Sequence, residues 1–287
     1  MTLSIIRSGA ALGAEIAGVD LTQPVDDATF AKIRDAFYTH EVVFFRGRRL
    51  SDEDHIRFSA RFGELRKIKI PPHYKRECPP EIHIVSNIIE DGKHIGLYDA
   101  GRFWHTDGAY FINPHAISIL NALEVPEKDG RVLGDTLFAS VTAAYNALPQ
   151  AMKKRIEGLQ VVQSPTVRDR KTAQTDGDRD PVRVAARAKM QAVHPMVRIH
   201  PVNGRRCLYV SEGYAAQVID MPEDESNDLL AELTAHCVKP EFVYRHNWRL
   251  HDMIMWDDCS TQHKATFDYE LPLRRRMHRT TVIHGNA

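Results

Sequence analysis

The chain has 287 residues, 43% of them hydrophobic, and its 38 lysines and arginines are matched by 38 aspartates and glutamates. This balance argues against a general binder of nucleic acid or of membrane surfaces, which would carry a marked basic excess. No run approaches eighteen uninterrupted apolar residues, residues 1–7 do not resemble a secretory leader, and the four scattered cysteines form no CxxC pair. The sequence therefore predicts a reduced, cytoplasmic protein with no membrane span and no nucleic-acid partner.

The first part of the chain predicts two helices on either side of a buried strand. Residues 26–40 repeat apolar side chains at helical spacing, and an aspartate at their start can cap the first turn. Residues 42–45 form an apolar run of β-formers that is closed by a glycine. Residues 51–62 begin with a serine and three acidic side chains, which predicts the start of a second helix.

The rest of the chain predicts a fold that is mainly β with helical decoration. Residues 140–148 and 149–159 are expected to form short helices, whereas short apolar segments indicate strands at 82–85, 116–125, 207–210, 242–244, 253–256 and 280–283. Many short strands, with helices concentrated in the first half and in an insertion, predict an antiparallel sandwich or jelly roll, a double-stranded β-helix core. We expect one domain over residues 1–287, with a polar lid or insertion at 163–192.

His105, Asp107 and His263 are the candidate ligands of a metal. Residues i and i+2 of a strand point to the same face, so His105 and Asp107 can reach one ion while Thr106 faces away. The second histidine must then come from a different strand. Two imidazoles and one carboxylate leave coordination positions open, as in non-haem Fe(II) oxygenases. A chain with fifteen histidines should contain about one His-x-Asp by chance, so the pattern also fits histidines without a ligand role.

Two arginines downstream of the distal histidine favour the metal hypothesis. Arg275 and Arg279 are four residues apart and can share one face of a strand or helix. A guanidinium inside a barrel is costly unless it is paired, and it matches a carboxylate with two parallel hydrogen bonds. The pair therefore predicts anionic ligands beside the metal, although a solvated basic run would look the same. The basic loop at 66–76 is either another solvated run or a substrate-facing segment.

In combination, four motifs resemble those of the taurine dioxygenase and 2,4-dichlorophenoxyacetate dioxygenase (TauD/TfdA) family of Fe(II)/2-oxoglutarate-dependent oxygenases. They lie at 104–107, 134–136, 256–263 and 275–279, and looser similarity covers nearly the whole chain. The resemblance implies oxidative decarboxylation of 2-oxoglutarate to succinate and CO2, coupled to hydroxylation of a small anionic organic acid by O2. An aryloxyalkanoate, a sulfonate or a sulfate ester would suit, with C–O or C–S cleavage where the hydroxylated carbon bears a heteroatom.

The resemblance also assigns residues. It implies that His105, Asp107 and His263 bind Fe(II), and that Thr136 and Arg275 hold the distal carboxylate of 2-oxoglutarate. It further implies that Arg279 contacts the acid group of the substrate and that the backbone near Gly108 faces it. From the basic loop, we add Lys69, His73 and Tyr74 as substrate contacts. Asp257 and Asp258 are candidates for supporting the histidines, and ordinary turn or cap roles suit them equally well.

The sequence departs from the taurine-type pattern at three points. Leu133 stands where the family commonly has a first glycine, and Gly101 stands where taurine-type enzymes have an asparagine. The interval from His263 to Arg275 is twelve residues, one longer than expected. These departures weaken taurine as the substrate. Two alternatives stay open: a zinc hydrolase with the same ligands, and a non-catalytic jelly-roll protein that binds a small acid. Related enzymes suggest a homo-oligomer, a dimer or a tetramer.

Overall fold

A computed structural model describes residues 2–68, 78–175, 184–185 and 187–283. Its α-helices are α1 (Asp27–His40), α2 (Asp52–Ser59), α3 (Val141–Ala147), α4 (Gln150–Ile156), α5 (Thr166–Thr175) and α6 (Glu223–Cys237). Short 3-10 turns follow α2 at Ala60–Phe62 and precede a strand at Pro240–Phe242.

In chain order the strands are β1 (Ser4–Arg7), β2 (Ala14–Ala17), β3 (Val42–Phe45), β4 (His83–Ser86), β5 (Ile89–Glu90), β6 (Lys93–His94), β7 (His115–Glu124), β8 (Glu127–Lys128), β9 (Arg131–Val132), β10 (Thr136–Ser140), β11 (Gln160–Gln163), β12 (Ala192–Pro195), β13 (Val197–Ile199), β14 (Arg206–Leu208), β15 (Ala215–Val218), β16 (Val243–His246), β17 (Met253–Asp257), β18 (Thr261–Ala265) and β19 (Arg276–Ile283). Seven of them form one sheet in the order β1-β2-β3-β17-β7-β19-β4, which is antiparallel except for the parallel pair β2 and β3.

The central strands of the large sheet are buried on both faces. In β17, Met253 and Met255 join the core beneath α1 and α2, whereas Ile254 and Trp256 join a second core on the other face. The alternation follows from the two-residue repeat of a strand, and burial on both faces explains why this run is apolar throughout. Because burial of apolar surface contributes roughly 25 cal/mol per Å², both cores stabilise the fold.

A three-stranded sheet, in the order β16-β10-β18, covers the second of these cores. Its Phe138 is fully buried against Trp256 of the large sheet, with ring centroids 5.5 Å apart. The two antiparallel sheets therefore face each other in a jelly-roll arrangement, as the sequence predicted. His263 lies at this interface, because it stands on β18, which pairs with β10, and its ring centroid is 4.8 Å from that of Trp256 in the large sheet.

Most predicted elements are present with shifted ends. The capping box at Ser51 and Asp54, and the cap of α1 by Asp26, match the predicted helix starts. The predicted placement of the helices was wrong in one respect, since the 15-residue helix α6 lies in the second half of the chain. Its Leu229 and Leu233 pack against α3 and the sheet of β11 in a further core. The apolar spacing of α6 was a helical signal that the sequence prediction missed.

The predicted lid contains the helix α5, and part of it lies outside the described residues. Lys69, His73 and Tyr74 of the basic loop also lie outside them. The single-domain organisation and the lid therefore stay predictions. Within the part of the chain that the structure describes, no helix is both long and apolar enough to cross a membrane.

Candidate metal centre

His105 and His263 lie directly opposite each other across a β-bridge. The backbone N–H of His105 donates to the His263 carbonyl at 3.1 Å, and the N–H of His263 donates to the His105 carbonyl at 2.9 Å. This reciprocal pairing brings the ring centroids to 4.1 Å. His105 was predicted within a strand, but it forms an isolated bridge that is followed by a turn. The second histidine comes from a separate strand, β18, as predicted.

The side chains of His105, Asp107 and His263 converge, with one ligand atom from each lying within 4.8 Å of the others. His105 Nε2 is 3.7 Å from Asp107 Oδ1, and His263 Nε2 is 3.9 Å from Asp107 Oδ2. The carbonyl of Phe103 lies 2.8 Å from His105 Nδ1, which therefore carries the proton and leaves Nε2 with a lone pair. Two nitrogens and one carboxylate of this kind fit Fe(II).

A hydrogen-bond network fixes the far oxygen of Asp107. Arg279 Nη1 donates to Asp107 Oδ2 at 2.7 Å, and Ser118 Oγ lies 3.1 Å from the same oxygen. Ser118 Oγ also lies 2.8 Å from Asp258 Oδ2, and Asp258 Oδ1 accepts from Trp256 Nε1 at 2.9 Å. A chain of contacts thus runs from the candidate ligand into the core between the sheets.

Asp257 and Asp258 contact groups other than the two metal-ligand candidates His105 and His263. Asp258 reaches the metal-ligand candidate Asp107 through Ser118, as described above. Asp257 Oδ2 accepts a hydrogen bond from His200 Nε2 at 2.6 Å, and its Oδ1 accepts from the backbone N–H of Cys259 at 2.8 Å. Neither aspartate contacts His105 or His263. Asp257 has the turn role that was the alternative, because its Oδ1 accepts from backbone N–H groups of the turn after β17.

The charge states of Asp107 and His263 suit a cation. Burial disfavours the charged form of Asp107, but Arg279 and the two histidines outweigh it and hold its pKa well below the usual range. Burial, together with the neighbouring His105, lowers the pKa of His263 well below its usual value. A neutral imidazole and an ionised carboxylate are the forms that bind metals.

Thr136 and Arg275 line the same cavity, and both lie near Trp248. Trp248 Nε1 donates to Thr136 Oγ1 at 3.1 Å, and the Arg275 guanidinium lies 5.8 Å from the centroid of the Trp248 ring. The backbone of Arg275 is fixed on both sides, since its N–H donates to Asn87 and its carbonyl accepts from Ser86. Arg275 is 5% exposed, and its buried Nε has no hydrogen-bond partner among the described residues. Such a buried donor fits an anionic co-substrate.

The Gly134-Asp135-Thr136 segment is held by its own set of contacts. Asp135 Oδ2 accepts from Arg245 Nε at 2.6 Å and from Asn247 Nδ2 at 2.7 Å. Gly134 has a φ of +76°, and a Cβ there would lie 3.3 Å from Arg275 Nε. The motif therefore needs a glycine where the chain passes the arginine.

One cavity of about 280 Å³ connects these residues. Its lining includes His105, Asp107, His263, Thr136, Arg275 and Arg279. Gly108 is not part of the lining, because its backbone packs on His115, where a Cβ would lie 2.6 Å from the ring. Its predicted contact with the substrate and the predicted substrate role of Arg279 both stay predictions.

Three residues of the site escaped the sequence analysis. Ser118 was visible as a polar residue inside an apolar strand, β7, which is a signal of a buried polar role. Tyr214 is buried and meets the His105 ring edge-on, with centroids 5.7 Å apart. Arg168, on α5, lines the same cavity. Nothing in the sequence distinguished Tyr214 or Arg168 from their neighbours.

The fold and the site match a known family. The model of the "Taurine catabolism dioxygenase TauD, TfdA family" matches residues 5–281. The chain belongs to this family. The 2,4-dichlorophenoxyacetate dioxygenase of Cupriavidus pinatubonensis is 31% identical to this TauD/TfdA member over 280 residues, which is 94% of either protein. Pentalenolactone F synthase of Streptomyces arenae is 32% identical over 283 residues, 96% of this chain and 92% of that one.

Solved structures agree with this assignment. The crystal structure of AAD-2 in complex with Mn(II) and N-oxalylglycine is 27% identical and has a TM-score of 0.80, covering 100% of this chain and 99% of that one. This TauD/TfdA member is therefore an Fe(II)/2-oxoglutarate-dependent dioxygenase, as the sequence predicted. The relatives decide the choice against the zinc hydrolase and the non-catalytic binding protein.

Proposed function

We propose that His105, Asp107 and His263 hold the iron of this dioxygenase and that the substrate is a small organic acid. The observation that carries the proposal is the convergence of the three ligand atoms within 4.8 Å at the wall of an arginine-lined cavity. When bound, the iron would activate O2 while 2-oxoglutarate supplies electrons through its decarboxylation to succinate and CO2.

The protein side chains position and protect this chemistry. Arg275 and Thr136 bind the distal carboxylate of 2-oxoglutarate, because a buried guanidinium with an unpartnered Nε favours a bidentate anion. Arg279 and Ser118 contact Oδ2 of Asp107, which would leave Oδ1 available to hold the iron. The apolar cavity residues, such as Ile84 and Leu97, exclude water from the reacting groups.

The acid character of the substrate rests on the arginines of the cavity and on the family. Relatives include a 2,4-dichlorophenoxyacetate dioxygenase, a sulfonate dioxygenase and a sulfate ester dioxygenase, which act on an aryloxyalkanoate, sulfonates and sulfate esters. An apolar cavity with cationic groups suits the same three classes. The four cysteines are free and buried, which supports a reducing, cytoplasmic location. A dimer or tetramer, and the absence of nucleic-acid or membrane partners, belong to the same proposal.

Ligand substitutions test the assignment. His105→Ala and Asp107→Ala should abolish succinate formation from 2-oxoglutarate while leaving the circular dichroism spectrum intact. Asp107→Ala should also lower the thermal unfolding temperature, because it removes the carboxylate that pairs with the buried Arg279. His236→Ala is the matched control, since His236 lies outside the cavity and donates to the carbonyl of Ala144. The anaerobic wild-type protein with Fe(II) and 2-oxoglutarate should also show a weak visible charge-transfer band. Turnover close to wild type in both alanine variants would contradict the ligand assignment.

A further inference from the structure

The hydroxyl of Thr136 has one contact that decides which of its atoms a ligand can meet. Trp248 Nε1 lies 3.1 Å from Thr136 Oγ1, and an indole N–H can only donate, so the threonine oxygen is the acceptor. The hydroxyl proton is left for another acceptor, and none is found among the described residues. Thr136 is 4% exposed and lines the cavity. Its proton is therefore available to a ligand in that cavity.

Trp248 also lies beside Arg275, the second donor of this wall. The centre of the Arg275 guanidinium is 5.8 Å from the centroid of the Trp248 ring, within the range of a cation–π contact. The buried Nε of Arg275 has no hydrogen-bond partner among the described residues. Trp248 thus contacts both groups that the proposed function assigns to the distal carboxylate of 2-oxoglutarate. It is not part of the cavity lining itself, so any effect on a ligand must pass through these two groups.

The position of Trp248 follows from strand register and from packing. Thr136 pairs with His246 across β10 and β16, and Trp248 comes two residues after His246. Residues two apart take the same face of an extended segment, which brings the indole to Thr136. The Trp248 ring is 2% exposed and meets the His246 ring edge-on, with centroids 4.7 Å apart. The following turn is also fixed, because the backbone N–H of Arg249 donates to Asp252 Oδ2 at 2.8 Å.

We infer that Trp248 is a positioning residue for the co-substrate, because its N–H holds Thr136 Oγ1 so that the threonine proton is donated to the distal carboxylate of 2-oxoglutarate. The inference rests on the proposed function and adds a residue that this function does not include. Trp248 does not touch the ligand. It determines how the group that touches the ligand is presented.

The consequence is a preference for a 2-oxo acid that ends in a carboxylate. A threonine hydroxyl that rotates freely can present either its proton or a lone pair to a ligand, and a lone pair repels a carboxylate. In this protein the indole N–H occupies one lone pair, which favours the orientation with the proton towards the ligand. Without the indole N–H, the hydroxyl would bind a carboxylate less well, whereas a co-substrate that has no distal carboxylate would lose nothing.

Two co-substrates of equal length separate this role from a general effect on the fold. 2-Oxoglutarate and 2-oxopentanoate have the same carbon chain, but only the first has a distal carboxylate. Each is titrated by calorimetry into the Mn(II)-loaded protein, so that binding is measured without turnover. Trp248→Phe keeps a buried ring and removes the N–H, and it should weaken 2-oxoglutarate binding by roughly 3- to 10-fold, the loss expected for one hydrogen bond. The affinity for 2-oxopentanoate should be unchanged.

A double-mutant cycle tests whether Trp248 acts through Thr136. Thr136→Val replaces the hydroxyl by a methyl group and removes the acceptor of the indole N–H. In this background, Trp248→Phe should change the 2-oxoglutarate affinity by less than about twofold, because the contact that it removes is already absent. Tyr145→Phe is the matched control, since it removes an aromatic hydrogen bond, the one from Arg206, outside the cavity lining. It should leave both affinities unchanged.

Three results would overturn the inference. The first is a Trp248→Phe variant that binds 2-oxoglutarate as tightly as the wild type. The second is an equal loss of affinity for both co-substrates, which would indicate a general packing role. The third is a full further loss from Trp248→Phe in the Thr136→Val background, which would show that the two residues act independently. A wild-type protein that binds 2-oxoglutarate no more tightly than 2-oxopentanoate would instead overturn the proposed function of Thr136 and Arg275.

Discussion

The contact chain behind Asp107 makes a sharp prediction about a single proton. Ser118 has one hydroxyl proton, but its Oγ lies within hydrogen-bond distance of two carboxylates, at 3.1 Å from Asp107 and 2.8 Å from Asp258. Both contacts are satisfied only if one carboxyl group brings its own proton. Burial and the negative charge of Asp107 raise the pKa of Asp258 well above its usual value. We therefore expect a neutral Asp258 that donates to Ser118, which in turn donates to Asp107.

Two substitutions test this order of donors. Ser118→Ala removes the hydrogen bond to Asp107, and we expect the affinity for Mn(II) to fall by about tenfold, the low end of the 10- to 100-fold range for such supporting contacts. The low end applies because Arg279 still holds the same oxygen at 2.7 Å. Asp258→Asn keeps an oxygen for Trp256 and supplies an N–H to Ser118, so the affinity should stay within about threefold of wild type.

The assay is calorimetric titration of the metal-free protein with Mn(II), with thermal unfolding as a check on the fold. Ser260→Ala is the control, because Ser260 is 2% exposed and its hydroxyl has no hydrogen-bond partner among the described residues. It should leave the Mn(II) affinity unchanged. A change of tenfold or more in Asp258→Asn would refute the reasoning, since it would mean that Asp258 is charged and takes the serine proton. An unchanged affinity in Ser118→Ala would refute the role of the serine itself.

Three further predictions concern the co-substrate seat and a buried acid. Arg275→Lys should raise the Michaelis constant for 2-oxoglutarate by about tenfold, because a point charge replaces a bidentate fork; an unchanged constant would mean that Arg275 is misassigned. Gly134→Ala should also raise the Michaelis constant for 2-oxoglutarate and lower the free energy of unfolding by about 1–2 kcal/mol. The reason is that a Cβ at φ +76° would lie 2.9 Å from Tyr269 and 3.3 Å from Arg275. Steady-state kinetics and denaturant titration measure the two effects, and wild-type values for both would contradict the geometry. Burial raises the pKa of Glu41 to about 7, so the folded protein holds a proton that the unfolded chain releases above its pKa of 4.5. The free energy of unfolding should therefore be highest below pH 4.5 and should decline by about 3 kcal/mol as the pH rises to 7. In Glu41→Gln, the free energy of unfolding should depend less on pH across this range. Identical pH dependences in the wild type and the variant would exclude the effect.

The sequence by itself determined the metal-ligand candidates and the class of fold. His105, Asp107 and His263 were named from the spacing of residue types and from the family motifs, and the structure brings them together. The β-rich pattern sufficed for the jelly roll, because the two-residue repeat and the short apolar runs are local properties of the chain. The helix α6 was missed although its apolar spacing is equally local.

Only the tertiary structure decided which groups the site residues contact. Arg279 was predicted to contact the substrate, but its pairing with Asp107 depends on β19 and on the turn after His105 meeting in space. Asp258 serves Asp107 through Ser118, and Arg168 reaches the cavity from a helix of the polar insertion. Spacing along the chain encodes which face a side chain takes, whereas the partner across an interface is set by packing between segments far apart in sequence. For this reason the metal-ligand candidates could be read from the sequence, and their supporting contacts could not.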